Sequence, residues 1–150
     1  MNVKLDKKDK EILFVLKHHA EYSMRKIAKE TRLPITTVHN RVLKMQKLGV
    51  IQKYTIIPDY KLLDKSFVVY ILITADLKYL KKKRKSQYDL AKKLKKFDFM
   101  ERVDIVSGGT DLVAIVRVKD VEEFDKVLLQ KIQVIDGIAK TQSMIVIHSQ

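Results

Sequence analysis

The sequence predicts an α+β fold built in two parts, and three observations predict it. Through residues 5–48, apolar side chains recur three and four positions apart, the spacing of short amphipathic helices. From Phe67 onward, β-rich apolar runs alternate with helical stretches in the order β-α-β-β-α-β. Between the two parts, Pro58-Asp59 interrupts the pattern.

The first part reads as three helices. Asp6 offers a cap, and Asp9 sits in the first turn, where the helix dipole favours acid. Ile12, Leu13, Val15 and Leu16 form the apolar stripe of that helix. Ser23 can cap a second helix, which places Ile27 and Ala28 inward, and a break follows around Arg32, Leu33 and Pro34. A third helix, Thr36 to Leu48, buries Val38, Val42, Met45 and Leu48, spaced i, i+4, i+7, i+10. Gly49 ends it, and Val50 and Ile51 lead into a short strand over Gln52 to Ile57. Two short helices, a tight break and a strand make a helix-turn-helix followed by a small wing. The outward face of the third helix carries Thr36, Thr37, His39, Asn40, Arg41 and Lys44. These are hydrogen-bonding groups and cations of the kind that read base edges and phosphates. Arg41 and Lys44 are the expected phosphate or guanine contacts, and Asn40 suits an adenine edge. Each of the six also has a plainer reading, as a solvated or capping residue.

The second part alternates. The run 67–77, FVVYILITADL, is β-rich, and residues 85–97 place Tyr88, Leu90, Ala91, Leu94 and Phe97 at near-helical spacing. Val103 to Ser107 and Leu112 to Val118 are strands around a GGTD sequence. Asp120 and Glu123 resemble a capping box for a helix through Ile132, with Val121, Phe124, Val127 and Leu128 inward, and Ile138 to His148 closes as a strand. Right-handed crossovers turn this order into a ferredoxin-like βαββαβ unit, an antiparallel sheet with helices on one face. The first strand is apolar on both faces, so the other face is expected to pack against a partner subunit. The expected domains are a winged helix-turn-helix over residues 1–57, a linker over 58–66 and the ferredoxin-like unit over 67–150.

Composition narrows the function. With 46% hydrophobic residues in a chain of 150, a sizeable core is possible. The net charge of +13 suggests a polyanionic partner, with nucleic acid ahead of membrane. That charge is uneven. Residues 1–60 hold 13 basic against 6 acidic side chains, residues 61–100 hold 12 against 4, and residues 101–150 hold 6 against 8. A Lys-rich surface without Cys or Trp also fits a hyperthermophile protein. Lack of Cys excludes disulfides, thiolate metal sites and a Cys nucleophile. No run approaches the ~20 apolar residues of a membrane span, and charges are dense by residue 11, so no signal peptide is expected and a cytoplasmic location is. No Walker loop, no G-x-G-x-x-G and no H-E-x-x-H occurs, so neither an enzyme nor a cofactor is expected. His39 has no ligand-type neighbour at metal-binding spacing, so no metal is expected either.

Two further stretches stay open. The run 78–85, KYLKKKRK, reads either as a solvated loop, the commoner fate of charge runs, or as a phosphate contact on flanking DNA. SGGTD at 107–111 holds the one local concentration of glycine in a chain with four. It reads first as a β-turn, and alternatively as a nest of bare N–H groups for a carboxylate, with Asp111 facing an ammonium.

Taken together, these residues resemble the leucine-responsive and asparagine-responsive regulators, the Lrp/AsnC or feast/famine family. LDKKDKEILFVL at 5–16 looks like the family's opening L-D-x-x-D-x-x-I-L-x-x-L, and IAKETRLPITTVHNRVLKMQKLGVIQKYT at 27–55 is similar to its helix-turn-helix pattern. The resemblance covers essentially the whole chain, GGTD and the closing strand included. It implies a member from a thermophilic archaeon, a transcription regulator that binds double-stranded DNA as a homodimer paired through the C-terminal sheet, often assembled into octamers. It implies a small effector, usually an amino acid, bound between dimers near Ser107, Gly108, Gly109, Thr110 and Asp111, with Thr141 and Ser143 completing the pocket. Pro34 stands where the family usually places Ser, so the start of the recognition helix departs from the pattern.

Asp104, in the strand leading to SGGTD, adds an expectation. Pointing into the effector pocket it would favour lysine or arginine; on the solvent face it would form only a surface ion pair. The expected function is therefore an effector-modulated DNA-binding regulator that represses by occupying or wrapping promoter DNA. The rivals are an effector-independent architectural protein that packs DNA and a small amino-acid-binding or metabolic enzyme with a stray N-terminal domain.

Overall fold

The computed structural model describes residues 4–148 and forms two compact units that meet between Pro58 and Asp59. The first is helical, with α1 (Lys7–His18), α2 (Met24–Thr31) and α3 (Ile35–Lys47). The start of α1 is a reciprocal capping box, in which the Asp9 N–H donates to Asp6 Oδ1 at 2.9 Å and the Asp6 N–H to Asp9 Oδ2 at 3.1 Å. Ser23 caps α2 by accepting the Lys26 N–H. The end of α2 is set by Arg32, which takes the left-handed conformation (φ 53°) more often given to glycine. The Leu33 N–H then returns to the Ala28 carbonyl at 3.1 Å, and the chain turns sharply enough to start α3 two residues later. Ile12 and Leu16 of α1, Ile27 and Ala28 of α2, and Val38, Val42 and Met45 of α3 close over one another as the core of this unit.

Three sequence expectations change here. α3 begins at Ile35, one residue before Thr36, because Pro34 is already held at the φ that a helix start needs. Pro34 lends no side-chain cap; its carbonyl accepts the Val38 N–H at 3.1 Å. Leu48 is not core but the C-cap of α3, 43% exposed. Past Gly49 (φ 71°), the N–H groups of Val50 and Ile51 fold back onto the Met45 carbonyl, and these two side chains pack against the core instead. Finally, Gln52 to Ile57 is not a strand. A strand exists through its ladder, and among the described residues this segment has no partner strand; Ile57 is 94% exposed.

The second unit contains β1 (Phe67–Ala75), α4 (Leu77–Lys82), α5 (Gln87–Leu94), β2 (Met100–Ile105), β3 (Leu112–Val118), α6 (Val121–Val127) running into a π-helical turn (Leu128–Ile132), and β4 (Ile138–Ile145). The strands pair antiparallel in the order β2-β3-β1-β4, the ferredoxin-like arrangement. The described residues include one element the sequence reading left open. Residues 78–85 are not a loop but mostly α4, because Asp76 caps it through the Tyr79 N–H (2.9 Å) and Leu80 reaches the core. Asp120 caps α6, but Glu123 completes the box one residue early, on the Lys119 N–H at 2.7 Å. Val121, expected inward, is exposed, as is Tyr88; each stands in the first turn of its helix, and Leu90, Ala91, Leu94, Phe124 and Val127 make the contacts with the sheet.

The β-strand period of two separates the faces of the sheet. Val69, Ile71 and Ile73 of β1 and Leu112, Ala114 and Val116 of β3 meet the helices. On the other face, Tyr70 sits between Ile115 and Met144, and Leu72 between Val113 and Gln142, with no helix over them. Residues 60–65 form a turn anchored at one end of that face. The Arg117 guanidinium lies 3.8 Å from the centre of the Tyr60 ring, reaches the Lys65 carbonyl and pairs with Glu101.

Candidate nucleic-acid interface and effector loop

Helical periodicity and two packed neighbours decide which side chains α3 can offer. Val38, Val42 and Met45 point into the core, so Thr36, His39, Asn40 and Lys44 are left outward and exposed, with Thr37 half-buried beside them. The outward arc continues to Lys47, one turn beyond Lys44, and holds Ile35 and Leu43 as exposed apolar groups. The sequence reading missed these three, though extending its own spacing from Asn40 and Lys44 reaches Lys47. Methyl and polar groups side by side are what a major groove accepts, because thymine presents a methyl and the other edges present donors and acceptors.

Arg41 has a different task from the one its sequence position suggested. It leaves the outward arc and turns toward the start of α1, where one guanidinium nitrogen donates to Asp6 Oδ2 at 2.6 Å and to Asp9 Oδ1 at 2.7 Å. Asp9 is 1% exposed, so this contact supplies the partner its charge needs. Asp6 is held below its ordinary carboxylate value, first by the Asp9 N–H and then by Arg41, and the two carboxylates in turn raise Arg41. Arg41 thus fixes α3 against α1 and sets the angle at which the outward residues are presented. Only tertiary contact joins groups 32 and 35 positions apart.

The loop 107–111, the expected effector loop, is clamped at its base and open at its tip. The Asp111 N–H donates to the Ile73 carbonyl at 3.0 Å, the Thr110 hydroxyl donates to the same carbonyl at 2.8 Å, and the Val106 N–H donates to the Asp111 carbonyl. The Asp111 carboxylate accepts the Ala75 N–H (2.8 Å) and the Gln87 side-chain amide (2.9 Å), so it is engaged within the subunit rather than aimed at an ammonium. Gly108 has φ 141°, and a Cβ added at Gly108 or Gly109 would touch nothing within 4 Å. Ser107 is exposed beside them. Thr141 pairs with Ile73 from the opposite side of β1, about 10 Å from Leu112 at two strand spacings. It accepts a hydrogen bond from Gln133 at 2.8 Å, and Ser143 follows it, exposed, on the same helix-side face. The loop and Thr141 therefore both lie at Ile73, on opposite sides of β1, with Ser143 further along opposite Ile71. Gln87 and Gln133, which orient Asp111 and Thr141, carry no motif and were not anticipated.

Asp104 does not join them. It lies opposite Val113 on the uncovered face, next to Arg102, whose Nε donates to its Oδ2 at 2.6 Å. Both side chains are well exposed, which is the surface ion pair rather than the pocket. Among the described residues no group of three or more His, Asp or Glu could hold a metal ion, and no helix is long and apolar enough to cross a membrane.

Comparison with known proteins places this architecture. Residues 5–52 match winged helix-turn-helix DNA-binding domains, and residues 69–149 match the Lrp/AsnC ligand binding domain. The pairing of these two domains defines a class of transcription regulators with a DNA-binding head and a ligand-binding body. The HTH-type transcriptional regulator FL11 of Pyrococcus horikoshii is 33% identical over 149 residues, 99% of this chain and 93% of that protein. Escherichia coli AsnC is 26% identical and superposes with a TM-score of 0.83 over 98% of this chain and 95% of that one. A Neisseria meningitidis regulator, NMB0573, solved with L-Met, reaches a TM-score of 0.86 at 19% identity, over 97% of this chain and 91% of that one. The chain belongs to the Lrp/AsnC family of transcription regulators.

Proposed function

We propose that this regulator reads DNA as a homodimer joined through the uncovered sheet face, and that an amino acid bound at the Gly108–Gly109 loop modulates its assembly. The observation that carries the reading is that face: Tyr70, Leu72, Val113, Ile115 and Met144 form one continuous apolar surface with no helix over it. A surface of that kind is stabilised by pairing with a second copy. Dimerisation presents two α3 helices to half-sites about 34 Å apart, or a multiple of that. Thr36, His39, Asn40, Lys44 and Lys47 make the base and phosphate contacts, with Thr37 supporting and Arg41 holding the helix in place.

The loop supports a ligand with a carboxylate, since bare glycine backbone next to Ser107 leaves N–H groups approachable from an open side. NMB0573 was solved with an amino acid, L-Met. Asp104 already pairs with Arg102 on the other face, so the effector is an amino acid whose side chain need not be basic. Association of dimers, up to octamers, brings loops of neighbouring copies together, and the effector acts through its differential affinity for the assembled state.

Selection of bound sequences from random duplex DNA, with and without each amino acid, tests this reading. The expected result is a two-part site whose enrichment changes with one or a few amino acids. Binding with no selectivity above the salt-dependent background would replace it with an architectural role.

A further inference from the structure

Residues 77–96 form α4, a short turn and α5, and they hold nine lysines and one arginine against a single acid, Asp89. All ten cations are exposed, and among the described residues none of them forms an ion pair. Two of the nearby acids are engaged locally, while Asp98, two residues past Lys96, is exposed and forms no ion pair among the described residues. Asp89 closes a capping box with Ser86, which with Lys92 and Lys85 holds its carboxyl low, and Asp76 caps α4. The charge is also rigidly presented. Leu80 packs so closely over Gly137 that an added Cβ there would lie 2.7 Å from it, and the Asp76 N–H donates to the Gly137 carbonyl at 2.8 Å. After α4 the chain reverses through Arg84 (φ 53°), closed by the Lys85 N–H on the Leu80 carbonyl at 2.8 Å. α4 thus sits by the start of β4 while α5 packs on β2, at opposite edges of the sheet. Three strand spacings make the surface about 15 Å wide, the rise of some four phosphates along one DNA strand.

A solvated lysine surface in a heat-stable protein intersperses both signs, which lowers self-repulsion. Here one sign is concentrated, and the last third of the same chain is net acidic. On α6, the most acidic helix of the chain, three of the four acids at 120–125 are already held: Asp120 and Glu123 by backbone N–H groups, Glu122 by Lys126. We propose that the α4–α5 surface is a second DNA-contact surface, which binds the phosphate backbone of duplex flanking the sequence read by α3. It rests on the family's DNA binding but not on the α3 assignments: loss of sequence preference tests those, loss of flanking contact tests this.

The experiment measures binding of the full chain to duplex of about 100 base pairs across a salt series, since each lost phosphate contact lowers the slope of log K against log salt by about 0.9. Two variants remove the surface separately, K81Q/K82Q/K83Q/R84Q and K92Q/K93Q/K95Q/K96Q. A third, K119Q/K126Q/K131Q/K140Q, removes the same charge elsewhere. The expected result is a slope lower by about 2 to 4 in each of the first two, no change in the third, a shorter hydroxyl-radical footprint and an unchanged selected sequence. If one surface variant loses its circular dichroism spectrum, the other decides. Unchanged slopes, or an equal change in the third variant, would overturn the proposal. So would an unchanged slope accompanied by a smaller particle mass in light scattering, which assigns the surface to contacts between copies. Loss only of binding to anionic phospholipid vesicles would likewise assign it to a membrane.

Discussion

Among the described residues, the helical unit closes over seven buried apolar side chains, while the sheet unit closes over nineteen. The smaller core has a second support, a buried ion pair: Arg41 reaching the buried Asp9 and the capping Asp6 between α1 and α3. In the sheet unit, Arg117 of the inner strand β3 pairs with Glu101 and Arg102 with Asp104 on the outer face, but among the described residues no carboxylate there is buried as Asp9 is. The difference teaches that a small domain that must aim a helix at DNA gains orientation from a charged clamp, where a large sheet gains it from packing. It also explains why the most arginine-like DNA contact in the sequence is structural.

The largest expected effect comes from opening the small core. Ile27→Ala should cost about 2 to 5 kcal/mol and lower one of two calorimetric transitions, that of the helical unit, abolishing DNA binding at temperatures where the sheet unit remains folded. A single transition that moves as a whole would show instead that the two units melt together. Next is Arg41→Ala, which leaves Asp9 without its partner and should cost about 2 kcal/mol in the same transition. Its DNA affinity, measured well below that transition, should keep the wild-type salt slope; a slope lower by about 0.9 would return Arg41 to the phosphates.

Acid tests the same clamp. Asp6 is held below its ordinary value of 3.8 by the Asp9 N–H and Arg41, so its contribution is present above that value and is lost as pH falls through the depressed one. The helical transition should therefore drop with acidification below about pH 4 less steeply in Asp6→Asn than in wild type, a comparison that differential scanning calorimetry makes directly. Lys44→Ala should leave both transitions in place and lower the salt slope of DNA binding by about 0.9. The smallest effect is expected for Asp104→Ala, within about 0.5 kcal/mol in stability because the pair is exposed. Calorimetric affinity for lysine should also be unchanged; a selective loss would put Asp104 back at the effector.

How much was legible follows from how local each feature is. The caps Asp6, Ser23 and Asp120 were readable because a side chain and the N–H it accepts lie three residues apart. The bracket of β3 by SGGTD and the Asp120 cap was readable from turn residues and alternation. The start of α3 was misplaced by a residue because proline can serve either as cap or as first helical residue, and α4 was hidden because a charge run masks the one buried position, Leu80.

By itself the sequence determined the order of elements apart from α4 and the expected strand over 52–57, most of the inward stripe of the helices it placed, the concentration of positive charge in the first two-thirds and the family to which these patterns belong. Those properties depend on neighbours within a turn or a strand, or on composition alone. Tertiary structure decided what each exposed-looking charge does. It turned Arg41 inward to Asp6 and Asp9, set Asp104 on the face opposite Thr141 and Ser143, engaged Asp111 with Ala75 and Gln87, and left the ten cations of the α4–α5 region without an ion pair among the described residues. The reason is physical: the fate of a charge depends on which group meets it in space, and those partners lie tens of residues away along the chain.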